Sequence, residues 1–274
     1  MRKVEPRGDT QLKIQKPSGE LSIEENLSWT FNIYRKNFTM FFIPVVIVTL
    51  LSGIYAATVS YFGIRMLQLL TGATFPEAWD WFLSNLEGLL FMIFTLGVVI
   101  WIIGTIGFGV CVKCASDLLE KGSASLRNAF SLTLKKSSSL LASVLVAVVL
   151  IWLGMFALII PGVIFAIILS LVVPVIIIEN LGATDSLSRS RRLVSNRWLK
   201  SFAFYLIIMI IVTIVFEVAS LIVTPIGAYS LPASNILAGI ITGFIAPIVP
   251  IAVTVYYYSM IAREQQKTPP SSPT

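Results

Sequence analysis

Glu217 is the residue of this sequence that most directly suggests chemistry, because it is the one charge between Ser201 and Ala262. A charged carboxylate in hydrocarbon is costly unless it is paired or protonated, so we expect Glu217 to face protein or water. Helical spacing puts other polar residues on its side of a helix, in a stripe of Thr213, Glu217, Ser220 and Thr224. The stripe predicts either a proton or cation site lining a cavity, or a protonated glutamate hydrogen-bonded to a neighbouring helix.

A cluster of basic residues around Trp198 forms a second candidate site. Its members are Arg189, Arg191, Arg192, Arg197 and Lys200. Near a membrane surface, each such residue contributes about 1 kcal/mol of attraction to anionic lipid headgroups. The cluster therefore predicts contacts with membrane lipids. The alternative is that its charges only set the orientation of the chain in the membrane.

The residues needed for many enzyme mechanisms are missing from the sequence. Histidine is absent, which excludes imidazole acid–base catalysis and histidine-ligated metals. Cys111 and Cys114 are too few for a four-cysteine zinc site, and their C-x-x-C spacing lacks the βαβ context of a redox motif. We therefore expect a protein that is not an enzyme, with no catalytic residue, no cofactor and no metal.

The composition indicates that the chain resides in a membrane. Apolar residues make up 56% of the 274 residues and charged residues 12%, about half the charged share of typical soluble domains, and the mean hydropathy is +0.87. Apolar stretches long enough to cross a ~30 Å hydrocarbon core recur along the chain. We place six spans near 40–62, 88–112, 139–157, 161–178, 202–223 and 236–258. The net charge of +6 then reflects membrane topology, and we expect no nucleic-acid partner.

Helix-breaking residues group the spans into hairpins. The uncharged run between Lys136 and Glu179 is too long for one helix across a membrane, and Pro161-Gly162 supplies a turn near its middle. Two proline-containing segments, 224–227 and 231–235, divide the last apolar region in the same way. Within span six, small residues predict close helix packing and prolines predict a kink, the residues being Gly239, Gly243, Pro247 and Pro250.

Basic residues predict the orientation of the spans. Of the twenty lysines and arginines, nineteen fall on one side of the predicted spans and only Arg65 falls on the other. We therefore expect a multi-pass protein of the cell membrane with both termini in the cytoplasm. Residues 1–20 and 263–274 are expected to be disordered. Residues 63–85 are expected to form an extracytoplasmic interfacial lid, with a helix start near Thr74.

The segments before spans one, three and five share one design, which suggests an internal repeat. Each is an amphipathic stretch followed by a basic or polar corner, and alignment of Leu27, Leu126 and Leu187 brings the three into register. The predicted fold is all-α: a polytopic membrane helix bundle whose transmembrane helices form three hairpins, each preceded by a cytoplasmic interfacial amphipathic helix. The tyrosines at 256–258 are expected to form the inner aromatic belt.

One region of the sequence resembles a known family. The resemblance lies in Ile160-Pro161-Gly162, Val173-Pro174, Ile178-Glu179-Asn180-Leu181-Gly182, Asp185-Ser186-Leu187-Ser188-Arg189-Ser190 and Asn196-Arg197-Trp198. These residues look like the membrane domain associated with glycerophosphoryl diester phosphodiesterases, a superfamily that also contains stand-alone bacterial and archaeal membrane proteins. The resemblance implies an α-helical membrane domain of unassigned activity, which in some relatives precedes a soluble phosphodiesterase barrel. We expect no such barrel here, because it would need catalytic histidines, and the enzymatic activity is not carried over.

Two classes of function follow from these features. The leading interpretation is a non-catalytic multi-pass membrane protein that organises lipids or partner proteins. Its expected partners are membrane lipids with anionic headgroups, and a second copy of the chain or another membrane protein. The alternative is a small permease that uses the stripe around Glu217.

Overall fold

The computed structural model describes residues 16–72, 74–227 and 229–267, and the regular elements in these ranges are all helices. They are α1 (Ile23–Lys36), α2 (Phe38–Gly72), α3 (Phe75–Lys121), α4 (Leu126–Lys135), α5 (Ser137–Ala157), α6 (Ile159–Ile168), α7 (Val172–Glu179), α8 (Ala183–Ser195), α9 (Trp198–Gly227), α10 (Leu231–Gly243) and α11 (Ile248–Lys267). The prediction of an all-α protein is confirmed for this part of the chain.

Within the described residues, six helical stretches are long and apolar enough to cross a membrane. They are Phe38–Gly72, Phe75–Lys121, Ser137–Ala157, Ile159–Glu179, Trp198–Gly227 and Ala233–Gln266. Each contains one of the spans expected from the sequence. The fourth stretch joins α6 to α7 and the sixth joins α10 to α11, so these two are interrupted helices.

The pair α2 and α3 is longer than the sequence suggested. At 35 and 47 residues, these helices measure about 52 and 70 Å at 1.5 Å per residue. No helix breaker interrupts the chain between Gly63 and Gly72, so α2 continues where an interfacial lid was expected. The predicted helix start is confirmed: the Thr74 N–H donates to the Glu77 carboxylate at 2.9 Å, directly before α3.

Glycine lets α2 and α10 approach backbone to backbone. A Cβ atom at Gly239 would lie 2.5 Å from the carbonyl oxygen of Thr49, and one at Gly53 would lie 2.7 Å from the carbonyl oxygen of Asn235. A Cβ at Gly243 would meet the hydroxyl of Thr49 at 2.9 Å. The packing role predicted for Gly239 and Gly243 is therefore confirmed within the bundle.

A second close approach joins α5 to α6. A Cβ on Gly154 would lie 2.9 Å from the backbone nitrogen of Gly162, and one on Gly162 would lie 2.8 Å from the backbone nitrogen of Met155. Between them the chain turns at Leu158, whose extended backbone (φ −165°, ψ 148°) separates the two helices. Gly154 and Gly162 thus allow the tight turn that the sequence places near the middle of this apolar run.

Proline accounts for both interrupted helices. Pro174 has no N–H to donate to the carbonyl of Ser170, and the chain turns at residues 169–171 between α6 and α7. Ser190 of α8 satisfies the groups freed there: its hydroxyl accepts from the Leu171 N–H at 3.2 Å and donates to the Ile168 carbonyl at 2.7 Å. The expected kink in the last span is confirmed, since residues 244–247 form turns that end at Pro247.

The core lies around α11, which is buried on all sides from residue 250 to residue 260. It packs against α1, α3, α7 and α8. The far halves of α2 and α3 are different: in the most apolar window of α3 only 6% of residues are buried within the protein. Apolar side chains on these halves face outwards, as hydrocarbon permits and water does not.

A substitution in α10 tests the close contact with α2. Gly239→Ala should lower the free energy of unfolding by about 1–3 kcal/mol, because the new Cβ meets a backbone carbonyl that cannot move aside freely. Gly97→Ala is the matched control, since no atom lies within 4 Å of a Cβ there. Thermal unfolding of both variants in detergent micelles gives the comparison. Equal losses of stability would contradict the close approach of α2 and α10.

Candidate functional site

The end of the bundle where α3, α7 and α11 finish and α9 begins carries most of the charge, and we call it the basic end. Three consecutive tyrosines of α11 lie at its centre, with Tyr256, Tyr257 and Tyr258 only 0–2% exposed. They were expected to form an aromatic belt facing lipid. Successive helical residues point about 100° apart, so the three rings project in three directions into the surrounding helices.

Each tyrosine hydroxyl reaches a polar side chain of a different helix. Tyr256 shares a hydrogen bond of 2.7 Å with Ser201 of α9. Tyr257 donates to the Glu179 carboxylate of α7 at 2.8 Å. Tyr258 donates to the Glu120 carboxylate of α3 at 2.9 Å. The tyrosines therefore connect α11 to three neighbouring helices through buried polar contacts.

Arg189 of α8 bridges two carboxylates. Its terminal nitrogens donate to both oxygens of Glu264 at 2.7 and 2.6 Å, and its Nε donates to Glu179 at 2.9 Å. The hydrogen bonds to Glu264 raise the pKa of the Arg189 guanidinium above its ordinary value, against the opposing effect of burial, and Glu179 adds to the rise. One guanidinium thus joins α7, α8 and α11.

Glu20 is the centre of a second set of ion pairs. Its carboxylate lies 2.7 Å from Lys200, 3.2 Å from Arg197 and 3.6 Å from Arg263. Burial alone would raise the pKa of the Glu20 carboxyl, but the hydrogen bond from Lys200 and the three positive charges outweigh it and lower this pKa. The carboxylate therefore stays charged and ties the N-terminal segment to α9 and α11.

These contacts revise the expected boundaries of the folded region. Residues 16–20 were expected to be disordered, but Lys16 pairs with Glu120 at 3.2 Å and Glu20 holds the cations just described. Residues 263–267 were placed in a disordered tail, but they continue α11, because Arg263 and Glu264 pair with other parts of the basic end. Residues 1–15 and 268–274 lie outside the described residues.

The predicted lipid-contact cluster divides into two groups. Three of its cations, Arg189, Arg197 and Lys200, are engaged by carboxylates of the protein itself. The other two, Arg191 and Arg192, are exposed, and their side chains form no hydrogen bond or salt bridge with the described residues. Sequence spacing identifies the cluster but not this division, because the carboxylate partners lie far away in the chain.

Only two of the four residues in the polar stripe of α9 line a common cleft. Ser220 and Thr224 border a cleft of about 350 Å³ between α9 and α10, which Asn235 and Thr242 also line. Thr213 and Glu217 are exposed outside this cleft, and Glu217 makes no side-chain hydrogen bond or ion pair with the described residues.

The orientation of α9 explains why Glu217 does not face the bundle as expected. The buried face of α9 towards α10 includes Ala219 and Val223. Glu217 precedes Ala219 by two residues, which places it about 200° around the helix, on the opposite side. The cleft hydroxyls are also used locally, since Ser220 donates to the Glu217 carbonyl at 2.8 Å and Thr224 to the Ser220 carbonyl at 2.7 Å.

Replacing Arg189 tests the bridge between the carboxylates. Arg189→Gln should lower the free energy of unfolding by about 1–2 kcal/mol, because it leaves the partly buried Glu179 and the more exposed Glu264 without their cation. Arg191→Gln, on the same helix and exposed, should change it by less than about 0.5 kcal/mol. Thermal unfolding in detergent micelles at neutral pH measures both. A similar small effect at the two positions would show that the bridge does not stabilise the fold.

Comparison of the chain with protein-family models, curated proteins and solved structures finds no significant match. The conclusions about function therefore rest on the contacts of this chain's own residues.

Proposed function

We propose that the protein is a non-catalytic, multi-pass integral membrane protein that binds anionic lipid headgroups at its basic end. The observation that carries this proposal is the pairing of an exposed aromatic ring with unpaired cations on the short helices of that end. On α1, Phe31 is 42% exposed and precedes the exposed Arg35 and Lys36. On α4, Phe130 is 47% exposed and lies between the exposed Arg127 and Lys135.

The third short helix follows the same arrangement. Trp198 is 44% exposed at the corner that follows α8, and Arg191 and Arg192 are the exposed cations of that helix. Aromatic rings favour the boundary between headgroups and hydrocarbon, and cations favour the anionic headgroups above it. Their repetition at one end of the bundle is the arrangement that a lipid-binding surface needs.

The burial of the short helices supports their role as interfacial units of a repeat. Three residues after the aligned leucine, each helix buries a small residue against the bundle: Thr30 in α1, Ala129 in α4 and Ser190 in α8. The side chains that remain on the outer face are then free to meet lipid. In this arrangement each interfacial helix leads into a hairpin, made of α2 with α3, α5 with α6 and α7, and α9 with α10 and α11.

The proposed orientation places the basic end and both termini in the cytoplasm, in the cell membrane. Its support is the distribution of charge: nineteen of the twenty basic residues lie in the segments of the basic end or in the terminal segments, and Arg65 lies towards the other end of α2.

We further propose that the chain is a relative of the membrane-domain superfamily that its motifs resemble. The motif residues have structural rather than catalytic partners. Gly162 allows the α5–α6 turn, Asn180 ends α7 in a left-handed conformation (φ 60°), and Ser190 satisfies the break between α6 and α7. Glu179 and Arg189 pair with each other. This use of the motif supports a non-catalytic role.

The cleft between α9 and α10 supports a permease as the second candidate function. Its lining is mostly apolar, but it includes the hydroxyl groups of Ser220, Thr224 and Thr242 and the amide of Asn235. Glu217 lies outside its lining, so a permease of this kind would bind a polar, uncharged solute through Ser220 and Thr224. Coupling through Glu217 has no support from this geometry.

Labelling of single cysteines tests the topology. In a background with Cys111 and Cys114 replaced by serine, Gly72→Cys should react with a membrane-impermeant maleimide in intact cells, because Gly72 lies at the end of α2 away from the basic end. Asn128→Cys, on the exposed face of α4, should react only after the membrane is permeabilised. Reaction of Asn128→Cys in intact cells would overturn the proposed orientation.

Neutralising the unpaired cations tests lipid binding. A triple variant, Arg35→Gln with Arg127→Gln and Arg191→Gln, should retain less phosphatidylglycerol on purification from mixed membranes, because each cation contributes about 1 kcal/mol of attraction. The loss should shrink at high salt, which screens exposed charges. Arg65→Gln is the control, an exposed cation away from the basic end. Unchanged retention in a triple variant that keeps its topology and stability would refute lipid binding by this surface.

A further inference from the structure

A small cavity lies between the C-terminal part of α8 and α11 at the basic end. Its volume is about 90 Å³, and its lining consists of Arg192, Leu193, Asn196, Met260, Arg263 and Glu264. One water molecule requires about 10–15 Å³ of such space, so the cavity has room for a group larger than a single water.

Arg263 is the most unusual residue of this lining. It is only 9% exposed, and its Nε has no hydrogen-bond partner among the described residues. The nearest carboxylate oxygen, on Glu20, lies 3.6 Å away, beyond hydrogen-bond distance. Glu20 already accepts from Lys200 at 2.7 Å and from Arg197 at 3.2 Å. A buried guanidinium with unused donors is costly, and an anion in the cavity would satisfy it.

The other polar groups of the cavity also favour an anion. The side chain of Arg192 forms no hydrogen bond or salt bridge with the described residues, and it places a second guanidinium on the same cavity. The one carboxylate of the lining, Glu264, is bound through both of its oxygens to Arg189. The cavity therefore combines two guanidinium groups with one carboxylate, so positive charge exceeds negative charge in its lining, and Asn196 adds amide donors.

We propose that this cavity binds a phosphoryl group, between Arg192 of α8 and Arg263 of α11, with Asn196 as a further donor. Guanidinium groups suit phosphate because their planar arrays of N–H donors match its oxygens. The group could belong to a lipid headgroup or to free phosphate, and only the lipid source rests on the lipid binding proposed above. A bound phosphoryl group would connect α8 to α11 beside the contact that Arg189 makes with Glu264.

Binding measurements on the full chain, purified in a phosphate-free maltoside detergent, test this site. Two probes are titrated by calorimetry at low ionic strength: inorganic phosphate, and short-chain phosphatidic acid below its micelle concentration. We expect saturable binding of at least one probe. Arg192→Gln should weaken it tenfold or more, whereas Arg65→Gln, an exposed cation of α2 away from the basic end, should change it less than twofold.

A conservative substitution at a second position separates loss of binding from loss of folding. Arg263→Lys keeps the charge beside Glu20 but loses the paired donors, so it should fold and still bind the probe at least fivefold more weakly. Binding by phosphatidic acid alone supports the site with a lipid as its ligand, and binding by both probes supports it with the phosphoryl group as the determinant. Equal effects of Arg65→Gln and Arg192→Gln, or no saturable binding of either probe, would overturn the site.

The two proposals fail separately. Loss of phosphatidylglycerol retention in the triple variant depends on the exposed cations of α1, α4 and α8, and that variant leaves Arg192 and Arg263 intact. Specific phosphate binding with unchanged lipid retention would keep the cavity site and refute the lipid-binding surface. If the triple variant loses phosphatidylglycerol as expected but neither probe binds specifically, the lipid-binding surface stands and the cavity site is refuted.

Discussion

Polar groups in an apolar bundle must find partners inside the protein, and in this chain two adjacent residues of α8 meet much of that requirement. Ser190 hydrogen-bonds both sides of the break between α6 and α7. Arg189 bridges Glu179 at the end of α7 and Glu264 near the end of α11. Without these contacts, the freed backbone groups and the Glu179 carboxylate would be left in surroundings that solvate them poorly. The positions of α7 and α11, and with them the tyrosine contacts around α11, depend on this one short helix.

The sequence predicts the helical class, the spans and the break in the last span, because these depend on local properties. Charge-free runs identify the spans, and Pro247 removes a hydrogen bond wherever it stands in a helix. The break between α6 and α7 is not among the predictions, because residues 161–178 are placed in one span, although Pro174 carries the same local signal. The site is less predictable, because its pairs are distant in sequence: Arg189 and Glu264 lie 75 residues apart. Helical periodicity shows which residues share a face with Glu217, but it does not show which face of α9 packs against α10. For the three tyrosines a local signal exists, since three consecutive helical residues cannot all face lipid.

The basic residues of this protein have two different roles, although they look alike in the sequence. Arg189, Arg197 and Lys200 form ion pairs with carboxylates of the protein itself, and these pairs hold helices together. The other basic residues beside Phe31, Phe130 and Trp198 have no such partner among the described residues and remain available to a surface. The number of basic residues in the sequence is therefore larger than the number whose side chains are available to bind lipid. Glu179, Arg189 and Arg197 belong to the first group, so their part in the structure is to hold helices together.

The unequal lengths of the helices have a consequence for the surrounding bilayer. Ser137–Ala157 and Ile159–Glu179 have 21 residues each, about 32 Å, which matches an average hydrocarbon thickness. The uncharged part of α2 before Arg65 is 27 residues long, or about 40 Å. In the proposed orientation, lipids beside α2 meet a taller apolar wall than lipids beside α5. The helix must tilt or the local bilayer must thicken to cover it, at a cost of a fraction of a kcal/mol per ångström. Such a protein would partition into thicker regions of membrane on one flank, and its distribution would respond to acyl-chain length.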